Sequence, residues 1–302
     1  MKLRLVVCGL TLLLAAGFAA AQDRDLSKVV IESQQVAEGV FMLTGSGGNI
    51  GASIGEDGIV LIDDQFAPLS ERIQAALAKL SPKPVRFVIN THHHFDHTGG
   101  NENFGKGGSI IVAHENVRRH LSQPEFMKMM NQTLGPTPKE GLPIVTFTQD
   151  VDLHLNGEDL HVFHVANAHT DGDGLVVFSK ANVIHMGDTF FNGFYPFIDV
   201  DGGGSIDGMI NAADQVLKLA NADTRLIPGH GPLATPPDLV KFRDMLKTIR
   251  GNVAKLIKQG KTLEQTVAAA PSRDLDPVWG NGFLKPEVFV TGVYNDLKRS
   301  VK

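Results

Sequence analysis

Apolar and polar positions change rhythm several times along this chain. Between Val29 and Asp63 the short β-branched or apolar runs "VVIES", "GVFMLTG", "NIGASIG" and "GIVLID" alternate with glycine-rich turns. That rhythm predicts antiparallel strands joined by hairpins. The period then lengthens: in "LSERIQAALAKL" Leu69, Ile73, Ala76, Leu77 and Leu80 share one face, which predicts a helix with Ser70 as its N-cap. "VRFVIN" reads as a buried strand, and "GSIIVAHENVRRHL" as a strand running into a short helix.

A Pro- and Gly-punctuated stretch, 123–143, leads to a second strand-rich part. Near its start "EFMKMMNQTLGPTP" reads either as a mobile lid or as an amphipathic helix with its exit loop. The strands "IVTFT" and "VDLHL" follow, then "LHVFHVANAHTDGDGLVVFS" and "NVIHMGDTFF". Ser205 to Leu219 predicts a helix, "TRLIPGHG" a short strand and loop, and the remainder is mainly helical. Elements in this order predict sheet layers covered by helices, an α/β fold class.

Composition narrows the partners. With 42% hydrophobic and 20% charged residues the chain is an ordinary globular one. A formal net charge of -5 and no basic cluster make the chain a poor candidate for nucleic-acid or anionic-membrane binding, and a small-molecule substrate is the expected partner. The opening segment has Lys2 and Arg4, an apolar run from Leu5 to Phe18, and Ala19, Ala20 and Ala21. It reads as a secretory signal peptide over 1–21, cut before Gln22, which predicts a periplasmic or secreted protein. The run is shorter than the roughly 20 residues of a spanning helix, so no stable membrane anchor is expected. Residues 22–302 then form one domain with a helical C-terminal part. Cys8 is the only cysteine, so the mature chain has no thiolate ligand and no cysteine nucleophile.

"NTHHHFDHTGG" places four histidines and one aspartate within six positions, directly after a predicted strand. If 92–94 are extended, alternation sends His92 and His94 to one side and His93 to the other. A turn at Phe95 then brings Asp96 and His97 to a second point, and two such pairs fit two metal ions. Each ion needs further donors, since zinc takes about four with one position open for catalysis. His169 in "NAHTDGDG", Asp188 in "HMGDTFF" and His230 in "IPGHGP" supply them from turn-rich loops. The expected ligands are therefore His92, His94, Asp96, His97, His169, Asp188 and His230. His93, His114, His120, His154, His161, His164 and His185 match no ligand pattern and are expected to be structural or superficial.

"THHHFDHTGG", "AHTDGDG", "MGDTF" and "PGHGP", in this order, resemble the metallo-β-lactamase superfamily of metal-dependent hydrolases. The resemblance implies a four-layered αββα sandwich with two zinc ions at one edge, or iron or manganese in their place. By position, His92, His94 and His169 would hold the first ion, Asp96, His97 and His230 the second, with Asp188 bridging. Many true β-lactamases of this fold have cysteine, or no ligand, at the place of Asp188, and a lysine soon after it. "DTFFNGFYPFIDVDGGG" has no lysine, and a bridging aspartate is the pattern of glyoxalase II-like thioesterases and lactonases.

The expected function is an exported dinuclear zinc hydrolase that opens amide or ester bonds, with modest β-lactamase activity. Water shared by two zincs has a pKa of roughly 7, which makes a nucleophile without a serine triad. Asp96 would both ligate and carry the proton to the leaving group. The alternatives are a thioesterase or lactonase, a mono-iron sulfur dioxygenase, and a metal carrier without catalysis. One of Asp63 and Asp64 is expected to orient an imidazole, unless both are turn residues. "TGSGGNIG" is a flap or a plain hairpin turn, and Phe190, Phe191, Phe194, Tyr195 and Phe197 are a pocket wall or core. Segments 45–50, 122–143 and 189–204 are thus the places where substrate contact is open.

Overall fold

The computed structural model describes residues 25–127 and 132–299; the leader read from the sequence lies outside them. The glycine-punctuated runs form β1 (Glu32–Ala37), β2 (Val40–Thr44), β3 (Ile50–Gly55) and β4 (Gly58–Ile62), a fully antiparallel meander. β5 (Val85–Ile89) and β6 (Ile110–His114) add to β4 in parallel. After a separate hairpin of β7 (Glu125–Met127) and β8 (Gln132–Leu134), β9 (Val145–Phe147) closes a seven-stranded sheet. A second, five-stranded sheet runs β10 (Asp150–Leu155), β11 (Glu158–His164), β12 (Gly174–Phe178), β13 (Val183–His185) and β14 (Arg225–Ile227), the last pair parallel.

Side-chain alternation in the central strands creates the layers. Every residue of β4 is buried. Val60 and Ile62 face the second sheet and pack among Leu160, Val162, Val176 and Phe178. Ile59 and Leu61 face the other way, onto Ile73 and Leu77 of α1 (Ser70–Ala78). β12 divides similarly, with Val176 and Phe178 between the sheets and Leu175 on the outer face. That outer face is covered by the helices of the C-terminal third. Each such aliphatic side chain contributes about 1.5–3 kcal/mol when fully buried, so the in-out pattern determines the layering. The result is the expected αββα sandwich.

The helices on the first sheet are α1, α2 (Phe95–Thr98), α3 (Asn101–Lys106) and α4 (Glu115–Leu121). On the second they are α5 (Ile206–Leu219), α6 (Pro236–Lys258), α7 (Leu263–Ala268), α8 (Asp276–Trp279) and α9 (Pro286–Arg299). α5 begins where its cap predicts: the Ser205 hydroxyl accepts the Gly208 amide at 2.9 Å.

Two expectations change. Ser70 is not an N-cap but the first helical residue after a 3-10 turn (Ala67–Leu69), and its hydroxyl accepts the Asn103 amide instead. The methionine-rich stretch forms no helix in its described part but the β7–β8 hairpin, and 128–131 lie outside the described residues.

Parallel pairing aligns the strand ends that carry the chemistry. The Asp63 amide donates to Ile89, the Asn90 amide to Val112 and the Met186 amide to Ile227. The loops after β4, β5, β13 and β14 consequently leave from one edge.

Candidate metal centre

After β5 the backbone bends through 91–93, is extended at His94 (φ -64, ψ 144) and then coils into α2. His92 and His94 both enter the cluster, with ring centroids 4.8 Å apart. His93 lies farther from His92, at 6.5 Å, and stacks on His120 at 4.0 Å, yet its ring is 4.7 Å from His94, and with His94 and Asp199 it makes a further group of neighbouring donors. The first turn of α2 carries Asp96 and His97 to the other side of His92, with the His97 ring 4.2 Å from it. The donor atoms of His92, His94, His169 and Asp188 all lie within 4.8 Å of one another, and Asp96, His97 and His230 form a second such group.

Asp188 touches both groups. Its Oδ1 is 3.0 Å from His97 Nε2, and its Oδ2 is 3.4 Å from His230 Nε2, 3.5 Å from His169 Nε2 and 3.9 Å from His92 Nε2. Two glycines leave room for this convergence. A Cβ at Gly48 would collide with the His97 imidazole, and one at Gly229 with Asp188 Oδ1. The turn "TGSGGNIG" is pinned beneath: Asn49 donates to Gly229, Pro228 and Gly231 carbonyls, and Gln65 holds the Gly48 carbonyl. It is a hairpin turn built into the floor rather than a free flap.

Outer hydrogen bonds set each imidazole. His94 Nε2 donates to Asp199 Oδ2 at 2.9 Å, and His97 Nδ1 to Asp63 Oδ2 at 2.7 Å. His169 Nδ1 donates to the Phe197 carbonyl at 2.9 Å. The Thr91 hydroxyl donates to Asp63 Oδ2, which leaves its oxygen to accept from His92 Nδ1 at 3.0 Å. In all four rings the remaining nitrogen lone pair points into the cluster.

This donor set fits a metal. His92 Nε2 is buried with no hydrogen-bond partner. His94 Nδ1 and His169 Nε2 face each other at 2.9 Å, and His97 Nε2 and His230 Nε2 at 3.3 Å. Lone pairs brought together in this way need a cation among them, and nitrogens bound to a tetrahedral zinc sit roughly 3.3 Å apart.

Charge in the cluster is strongly redistributed. Burial disfavours the charged form of His97, but Asp188, Asp96 and Asp63 outweigh it and hold its pKa well above the usual value. His230, also buried, is carried to about 9 by Asp188 and Asp96. Burial and the neighbouring His97 push His92 well down, and burial takes His169 to about 3. Against its own burial, Asp96 is held at about 2 by His97 and His230.

Several partners escape a sequence reading. Asp199 is one: "DVDGGG" signals a turn, and Gly202 does donate to Asp199 Oδ1, but nothing local points to His94. Asp173 is another, accepting the His169 and Thr170 amides and the Thr170 hydroxyl, with burial raising it to about 7. Asp63 takes the orienting role, while Asp64 accepts the Gly100 amide. The aromatic group divides as well. Phe190 packs on Phe242 and Tyr195 on Phe289, both in the core. Phe191 stacks on His230, and Phe197 lies about 6 Å from His94 and His169. His185, buried, bridges loops through the Asn49 carbonyl and the Gly187 amide, and His154 and His161 pair with surface aspartates.

A sandwich of this kind with histidine and aspartate clusters at one edge, able to hold metal ions, defines a metallohydrolase class. The metallo-β-lactamase superfamily model matches residues 45–230, more than half of the chain, and the chain belongs to that superfamily. It is 26% identical to the 2,4-dinitroanisole O-demethylase subunit alpha of Nocardioides sp. (strain JS1661), over 46% of this chain and 40% of that protein. It is 29% identical to the hydroxyacylglutathione hydrolase of Nitrosococcus oceani, over 54% of this chain and 55% of that protein. The matches thus span about half the length of these relatives. Among solved structures, the stereoselective inverting sec-alkylsulfatase Pisa1 from Pseudomonas sp. superposes with a TM-score of 0.67 at 17% identity, over 88% of this chain and 50% of that one. The superfamily is hydrolytic, and an enzyme is what fold and site together support.

Proposed function

We propose that this chain is an exported dinuclear zinc hydrolase that opens ester or amide bonds and has modest β-lactamase activity. The observation that carries the reading is Asp188, one carboxylate within 4 Å of histidines from both groups. In this reading His92, His94 and His169 hold one ion, Asp96, His97 and His230 the other, and Asp188 is shared. Imidazole and carboxylate donors without thiolate suit zinc. When bound, the ions would lower the pKa of water toward neutrality and polarise the scissile carbonyl.

The residues of the chain do the rest. Asp199, Asp63, Thr91 and the Phe197 carbonyl lock the tautomers. Asp96, held at about 2, is ionised at neutral pH and its side chain is 22% exposed. In this reading Asp96 accepts a hydrogen bond from the attacking water and passes the proton to the leaving group. Export rests on the leader read over 1–21.

A thioesterase or lactonase is the second reading, supported by the carboxylate at 188 and by the likeness to a hydroxyacylglutathione hydrolase. Metal analysis of the purified mature protein, with a panel of β-lactam, lactone and thioester substrates, tests both. About two zincs with ester or β-lactam turnover is the expected result. One iron per chain with no hydrolysis would replace this reading with a dioxygenase.

A further inference from the structure

The wall beside His230 comes from two distant parts of the chain. Phe191 and Phe194 follow Asp188, whereas Phe283 belongs to the link between α8 and α9, beyond the 45–230 stretch that the superfamily model matches. The Phe283 ring lies 6.2 Å from Phe191, 6.0 Å from Phe194 and 6.3 Å from His230. Phe191 is fully buried and stacked on His230, so it acts as backing. Phe194 is half-buried and meets Phe283 edge to face at 74°. Phe283 itself stays 49% exposed.

A large aromatic ring left open to water costs stability unless something covers it. Among the described residues the other exposed large apolar side chains, Val30, Ile144, Val145, Leu219 and Val278, are all aliphatic. Phe283 alone of them joins an aromatic cluster that reaches a cluster histidine. The segment 189–204 adds no lysine or arginine to this wall. Its chemistry selects for shape and apolar surface.

We infer that Phe283 and Phe194 form a subsite for a flat apolar group of the substrate, attached next to the bond that is broken. The substrate class is then an ester of an aryl or bulky apolar alcohol rather than of a small polar one. This rests on the hydrolase reading above. Phe283 is the specificity-determining residue, because edge-to-face and offset stacking reward a planar group there.

The test uses purified protein with 1-naphthyl acetate and methyl acetate as substrates, and 1-naphthol as an equilibrium ligand followed by fluorescence. Comparing the kcat/KM ratio of the two esters between variant and wild type cancels their intrinsic reactivity. Phe283→Ala should lower that ratio about tenfold and weaken naphthol binding to a similar degree, and Phe283→Trp should restore both. Ile144→Ala, an exposed apolar position on the edge of the first sheet, should change neither. An unchanged ratio and unchanged naphthol affinity in Phe283→Ala, or no naphthol binding by the wild type, overturns the subsite. If naphthol binds in a Phe283-dependent way while neither ester is cleaved, the subsite stands and the hydrolase reading fails.

Discussion

Asp63 Oδ2 accepts a 2.7 Å hydrogen bond from His97 Nδ1, and it does so from a backbone held at φ 64. An aspartate in the left-handed region needs compensation. The Thr91 amide and hydroxyl provide it at 2.8 and 2.7 Å. The unusual backbone therefore aims the carboxylate at the ring. Asp63→Asn should lower metal affinity by about 10–100-fold, as loss of such an orienting partner does. Asp64→Asn should leave affinity close to wild type, since Asp64 turns to the Gly100 amide, a hydrogen bond that the Asn side-chain oxygen can still accept. Competition with a chromophoric chelator reads both, and equal losses would show that orientation of His97 is not what Asp63 supplies.

His94 and His93 are neighbours with opposite consequences. His94→Ala removes one cluster donor and the partner of Asp199, and should cost several orders of magnitude in rate. His93→Ala should change rate less than tenfold. It removes a buried ring stacked on His120, so a loss of about 1–3 kcal/mol in stability is expected. Parallel kinetics and urea denaturation separate the two effects. A rate loss in His93→Ala matching that of His94→Ala would refute the placing of His93 outside the metal ligands.

Chelation should abolish activity and lower the thermal midpoint together, because the buried donors of both groups would then face each other without a cation. Adding zinc should recover both. Recovery by iron alone would point to a different chemistry.

β-Lactams should be hydrolysed with a high KM, since 189–204 offers no cation for their carboxylate. The structure narrows where a lysine can be introduced. Thr189, Phe190 and Phe191 are buried, and Gly193 has φ 96, which leaves Asn192 and Phe194. Asn192→Lys gives up only a hydrogen bond to the Pro232 carbonyl. It should lower KM for penicillin-type substrates several-fold with little change in kcat, as added uniform binding does. If the wild type already shows micromolar KM, Lys285, two residues beyond Phe283, is the cation to remove next.

Edman or mass analysis of exported protein should place the mature N-terminus within a few residues of Gln22. Intact Met1 on active cytoplasmic protein would instead favour a glutathione thioester as substrate.

What the sequence determined by itself is local. Alternation along β4 and the 3.6 period of α5 are properties of consecutive residues, readable without a partner. The swing of Asp96 and His97 follows from the helical turn that begins at Phe95, whereas 91–93 bend, so simple alternation does not account for where His92, His93 and His94 point. The failures were local as well: "EFMKMM" offers methionines that favour a helix, yet short strands pair there because an antiparallel partner lies within reach, which composition does not reveal. Tertiary structure alone decided which distant groups meet. That Asp199 turns to His94, that Asp63 rather than Asp64 turns to His97, and that Phe283 joins Phe194 depend on how two twisted sheets and a C-terminal helical layer pack. Contacts across 34 or 105 residues carry no periodic trace in the chain, since their geometry is set by the packing of whole layers and not by neighbouring side chains.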